Sequence, residues 1–200
     1  MRVGPEGSQE DFLLHEGILA GRSDFFRRAM NGNWSEKKDR VVKLPEDDPK
    51  IFAFYVNLIY MGAMYTQTEY QKTTPVEFQA HTLANVKFYI LAQKLQDTQA
   101  KNSALETVRT EMRVMSFAAD RLPSTEIVEF MYKNTSKDSL GRRLMVDLWT
   151  DVGTKWILDK SEDLCRDFLV DLAYSLHGER TAHSGNLANR KGYTAYQEKL

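Results

Sequence analysis

Helix-start signals divide most of this chain into short helical segments. Asp48 followed by Pro49 is an N-cap with a proline in the first helical turn. Thr74, Pro75 and Glu77 have the T-x-x-E spacing of a capping box, in which two side chains satisfy free backbone N–H groups. After these starts, apolar residues recur three and four positions apart, as on one face of a helix. The helices are predicted over residues 49–62, 75–94, 98–115, 124–134, 140–156 and 164–176.

The first 45 residues have a different pattern, with short extended runs joined by turn residues. Two strands are predicted for MRV and DFLLH, on either side of the turn GPEGS, and a third for the β-branched run RVVKL at 40–44. Between the second and third strands, the apolar spacing changes at His15 and predicts two short helices. The second helix begins at Ser23, whose hydroxyl can accept a free backbone N–H group. We therefore predict the α+β class, with a small sheet flanked by a cluster of helices.

The composition is typical of a soluble intracellular protein. With 42% hydrophobic and 11% aromatic residues, 200 residues are enough for one core and a helical extension. The most apolar run, 51–64, is shorter than the roughly 18 to 20 residues of a membrane span, and it predicts a buried helix. The N-terminus has no apolar signal core. We expect a location in the cytoplasm or nucleus and no membrane contact.

The sequence contains no linear motif for catalysis or metal binding. The four histidines, at 15, 81, 177 and 183, lack the spacing that places two ligands on one helix face, so His15 is expected to bond nearby backbone. The single cysteine, Cys165, excludes an intrachain disulfide and fits a small core residue. The acidic run at 46–48 fits a helix cap. We predict no enzymatic activity, metal or cofactor, with a small enzyme lacking a linear motif as the residual alternative.

A local excess of basic residues lies between Gly21 and Lys43, although the whole chain has a formal net charge of −1. The basic residues are Arg22, Arg27, Arg28, Lys37, Lys38, Arg40 and Lys43. The nearby aromatic residues are paired on an apolar face instead of interleaved as stacking platforms, which favours a solvated face or an acidic protein partner over nucleic acid. Trp34 follows a turn and is the expected exposed anchor, whereas Trp149 and Trp156 are predicted in the core.

An ordered series of motifs resembles the BTB/POZ domain. The signature F-x-x-H-x-x-x-L-x-x-x-S-x-x-F is formed by Phe12, His15, Leu19, Ser23 and Phe26 after a strand hairpin. RVVKLPEDDP, IFAFYVNLIYMG and LANVKFYILAQKLQ follow in the family's order and look most like BTB proteins of filamentous fungi. The resemblance covers 1–118. Residues 119–178 would then be a helical extension, and 179–200 a tail that is loose or ordered only by contact.

The resemblance implies a protein–protein interaction module, a scaffold or adaptor without catalytic activity. The five signature residues would fix the helix pair beside the sheet, with Gly17 and Gly21 giving room for close packing or turning. The residues expected to contact a partner are Ile18, Arg22, Phe25, Arg27, Arg28 and Trp34. A homodimer is expected without an exchanged strand, because the segment that family dimers exchange precedes the first strand, which here begins at Met1 or Arg2.

Two other functions stay open at this point. Some family members are substrate adaptors of cullin ubiquitin ligases and carry an apolar-x-acidic motif. In this register the motif falls on Ala84, Asn85 and Val86, which do not match it. A transcription-associated regulator that uses the basic residues of 21–43 is the second alternative.

Overall fold

The computed structural model describes residues 1–31, 41–62, 64, 74–114, 122–150, 157 and 159–178. Within these residues the chain forms three strands and eight α-helices, which confirms the predicted α+β class. The strands are β1 (Arg2–Val3), β2 (Glu10–Asp11) and β3 (Lys43–Leu44). The helices are α1 (Glu16–Arg22), α2 (Asp24–Asn31), α3 (Pro49–Met61), α4 (Pro75–Lys94), α5 (Thr98–Val114), α6 (Thr125–Asn134), α7 (Leu140–Thr150) and α8 (Arg166–Gly178).

The sheet is mixed and has the order β2-β1-β3. β1 pairs antiparallel with β2 and parallel with β3, so that Val3 lies opposite both Glu10 and Leu44. Gly4 directly follows β1; its φ is +107°, and a Cβ atom there would lie 2.9 Å from the carbonyl oxygen of Ser8. This position therefore requires glycine.

The predicted strands DFLLH and RVVKL are longer than the observed ones. β2 stops at Asp11 because the chain then leaves the sheet. The N–H of Phe12 still donates to the carbonyl of Met1, but that of His15 donates to the Tyr60 hydroxyl. β3 covers Lys43–Leu44 alone.

The helix-start signals are confirmed in detail. The Asp48 side chain accepts the N–H of Lys50 at 2.9 Å, and Thr74 and Glu77 form the reciprocal capping box. Asp97 caps α5 by accepting the N–H of Ala100 at 2.8 Å. Helix starts depend on neighbouring residues, which is why the sequence predicts them well.

α4 lies at the centre of the fold and packs against α3, α5 and α6. One continuous core joins the sheet side to the C-terminal helices. Its largest fully buried side chains include Phe26, Phe52, Tyr55, Phe88, Met131, Met145, Trp149 and Phe168. The core role predicted for Trp149 is confirmed, and Trp156 lies outside the described residues.

The C-terminal helices dock on α4 through polar as well as apolar contacts. The Tyr89 hydroxyl lies 3.0 Å from the Ser139 hydroxyl and accepts the N–H of Gly141 at 3.3 Å. The Gln79 side chain donates to the carbonyl of Leu122 at 2.6 Å and accepts the N–H of Ser124 at 2.9 Å. These contacts fix the starts of α6 and α7 against α4.

Within the extension, Arg142 closes the C-terminal end of α6. Its guanidinium donates to the carbonyls of Tyr132 and Thr135 and lies 4.5 Å from the Tyr132 ring centre. Tyr132 in turn donates its hydroxyl to Asp171 on α8 at 2.8 Å. A cation at this helix end complements the free carbonyls and the helix dipole.

Several sequence predictions differ from the structure. Gly17 and Gly21 lie inside α1, where an added methyl group would meet no atom within 4 Å, so the predicted packing or turning role is wrong. The last helix begins at Arg166, after Leu164, because a 3-10 turn over Ser161–Asp163 precedes it. The helix predicted to 156 is described to Thr150, and the boundary at 118/119 and the tail 179–200 lie outside the described residues.

Candidate protein-interaction surface

The start of α1 is tied to the end of α3 by His15 and Tyr60. The backbone N–H of His15 donates to the Tyr60 hydroxyl at 3.0 Å, and the His15 Nδ1 atom lies 2.8 Å from the same oxygen. The two rings are 5.8 Å apart and both residues are exposed. The expected partner of the His15 ring was nearby backbone, and this is wrong, since the ring bonds a distant side chain.

Exposed apolar residues lie close to both partners of this bond in the sequence. Phe12 packs edge-on against the buried Phe52 with ring centres 5.0 Å apart, and the next residue, Leu13, is fully exposed. Tyr60 is 40% exposed and Met61 is 78% exposed. Leu13 lies two residues before His15, and Met61 directly follows Tyr60, so both exposed residues are close along the chain to the His15–Tyr60 bond. We call Leu13, Tyr60 and Met61 the Leu13 surface.

The signature residues behind this surface are mostly buried. Leu19, Ser23 and Phe26 have at most 1% of their surface exposed. The Ser23 hydroxyl accepts the N–H of Phe26 at 3.2 Å and donates to the carbonyl of Leu95, which follows α4. One small side chain thus caps α2 and joins it to the turn between α4 and α5.

Arg22, predicted to contact a partner, lies in a buried polar network. Its Nε atom is 3.2 Å from Asp97, which is 1% exposed, and Asp97 also accepts the Tyr55 hydroxyl at 3.2 Å. Burial, followed by the charge of Asp97, raises the pKa of Tyr55 above its usual range. Tyr55 therefore stays a hydrogen-bond donor to the carboxylate.

The other predicted contact residues are spread over the helix pair. Arg27 is exposed and pairs with Asp24 at 2.9 Å, and Arg28 donates to the side chain of Gln96. Ile18 and Phe25 are half-buried. Trp34, with Lys37, Lys38 and Arg40, lies outside the described residues. The structure thus gives three arginines of the basic segment partners within the chain.

The positions matched to the cullin-binding motif lie inside α4. Asn85 and Val86 are each 1% exposed, and the Asn85 amide donates to both carboxylate oxygens of Glu111, at 3.1 and 3.3 Å. His81 lies 3.0 Å from the same carboxylate. Asn85 thus bonds α4 to α5 and Val86 is buried, whereas Ala84 is half-buried.

Two further candidates for chemistry, Asp47 and Cys165, have structural contacts. Asp47 pairs with Lys94 at 2.7 Å, and Cys165 is half-buried beside the core. Among the described residues, no group of three or more histidine, cysteine or acidic side chains could hold a metal ion. None of the helices in the described ranges is long and apolar enough to cross a membrane.

The residues of the Leu13 surface were not among the contact residues predicted from the sequence. The signal for Leu13 was the alternation within DFLLH, where Phe12 faces the core and its neighbour faces out. Tyr60 and Met61 end a helix that is apolar around most of its circumference, and the prediction that this helix is buried is wrong for these two residues. A helix pattern alone does not show where the neighbouring elements stop covering it.

The described residues combine a small mixed sheet, a helix pair joined to a central helix and exposed apolar side chains. Residues 6–96 match the family model of the BTB/POZ domain, and this match supports a BTB/POZ domain in that part of the chain. Members of this family are interaction modules and are generally not catalytic. No curated protein matches the chain significantly, and the likeness to fungal members stays a prediction.

Proposed function

We propose that the protein is a self-associating scaffold in which two copies meet through the Leu13 surface. The observation that carries this proposal is that exposed Leu13 and Met61 lie close in the sequence to a hydrogen-bonded pair, His15 and Tyr60, whose tyrosine is also exposed. Single exposed apolar residues are ordinary on a protein surface, whereas a group of them indicates an interaction site. Burying the group in a dimer removes apolar area from water and favours association.

The fixed position of Tyr60 supports this proposal. Its hydroxyl holds both the backbone and the ring of His15, so its ring is already ordered before a partner arrives. An ordered aromatic side chain loses little conformational entropy on binding, and tyrosine is enriched at interfaces. Ile18, one turn along α1 from His15, would lie at the margin of the contact. Phe25, Arg27, Arg28 and Trp34 stay predicted contact residues.

Sedimentation velocity across the micromolar range tests the self-association. The unchanged chain is expected to shift toward a dimer as its concentration rises, and a Leu13→Asp, Met61→Asp double variant to remain monomeric. Leu140→Asp is the matched control, because Leu140 is 58% exposed and lies on α7. Far-UV circular dichroism verifies that each variant is folded. A chain that is monomeric throughout, or a double variant that associates like the unchanged chain, would contradict the proposal.

Two other functions are tested separately. A cullin adaptor would bind a cullin N-terminal domain in a pull-down experiment, and the burial of Asn85 and Val86 gives this function no support. A nucleic-acid-associated regulator would bind DNA with an affinity that falls steeply with salt. We prefer the scaffold to this regulator because Arg22, Arg27 and Arg28 have partners within the chain.

A further inference from the structure

We draw no further inference here: the strongest candidate, the open groove between α7 and α8 that Leu140, Val146 and Tyr174 line, carries none, because its three basic side chains are matched by three aspartates and nothing in the described structure shows what covers it.

Discussion

At Gly141, α7 comes into direct contact with two side chains of neighbouring helices. A Cβ atom there would lie 2.7 Å from the sulfur of Met131 and 2.8 Å from the Tyr89 ring. The Met131 side chain is flexible and can move, but the Tyr89 hydroxyl is held by Ser139. The absence of a side chain at residue 141 therefore sets how closely α7 approaches α4.

Gly141→Ala should destabilise the protein by about 1 to 3 kcal/mol, because the extra methyl group overpacks this contact. Gly21→Ala is the control, since a methyl group there meets open space inside α1. It should be neutral or stabilise the protein by about 0.5 to 1 kcal/mol through helix propensity. Urea denaturation measures both variants, and equal midpoints for the two would show that the close contact does not restrict residue 141.

Thr82 is a second residue whose environment is unusual for its chemistry. It is fully buried in α4, and its hydroxyl has no hydrogen-bond partner in the part of the chain that the structure describes. A buried hydroxyl without a partner loses its hydration and gains nothing in return.

Thr82→Val should therefore raise the free energy of unfolding by about 1 kcal/mol, since it keeps the shape and removes the unpaired hydroxyl. Thr107→Val serves for comparison, because the Thr107 hydroxyl donates to the carbonyl of Ser103 at 2.9 Å and that bond would be lost. Both are measured by urea denaturation. Destabilisation by Thr82→Val equal to that by Thr107→Val would refute the idea that the hydroxyl is unpaired.

The turn between α4 and α5 holds α1 and α2 in place through side-chain contacts. Ser23 donates to the carbonyl of Leu95, Arg28 donates to the side chain of Gln96, and Arg22 pairs with Asp97. Three consecutive residues of the turn thus each hold a side chain from α1, α2 or the junction between them. Of the three side chains that the turn holds, that of Ser23 is the fully buried one.

Ser23→Ala should cost about 1 to 3 kcal/mol of stability, because it leaves the N–H of Phe26 and the carbonyl of Leu95 without their buried partner. Ser8→Ala removes an exposed hydroxyl that makes a long bond of 3.4 Å, and it should change stability by less than about 0.5 kcal/mol. Thermal unfolding of both variants checks the difference. A Ser23→Ala protein as stable as Ser8→Ala would show that the serine does not join these elements.

Features of the fold were predicted correctly where the contacting residues are close in the sequence, and were missed where they are far apart. Asp48 and Thr74 cap helices through residues two or three positions away, so the sequence alone predicted those starts. Ser23 was predicted correctly as a cap, but its bond to Leu95 spans 72 positions and has no local signal. The exposure of Leu13 and Met61 likewise depends on where other elements end. The sequence predicted the helix pair, whereas packing between distant elements decides which side chains beside it stay exposed.

Two buried tyrosines make the free energy of unfolding of the whole molecule depend on pH in the alkaline range. Tyr55 lies near the sheet side and Tyr132 in the extension, and each donates to an aspartate. Burial first, and the neighbouring carboxylate next, raises the pKa of each hydroxyl above its usual range. At pH values below the pKa of an unfolded tyrosine, which is near 10, both tyrosines contribute fully to the stability of the folded state. They decline as pH rises further, because the unfolded chain ionises first.

An absorbance titration at alkaline pH checks this link between folding and ionisation. Of the nine tyrosines of the chain, Tyr55 and Tyr132 should ionise only as the helical signal in circular dichroism is lost. A Tyr55→Phe, Tyr132→Phe double variant should lose the part of the absorbance change that accompanies unfolding. Complete ionisation of all nine while the helical signal is intact would rule out the protected environment of these two hydroxyls.

The docking of Tyr89 against Ser139 and Gly141 also determines how the protein can be divided. A fragment that stops at residue 118, the predicted end of the BTB/POZ domain, would lack α6, α7 and α8 and would present the Tyr89 side of α4 to water. That side would lose the contacts that Ser139 and Gly141 make with the Tyr89 hydroxyl. An oligomer of such a fragment would therefore not identify the Leu13 surface as its interface, because the newly exposed side of α4 is available for contact as well.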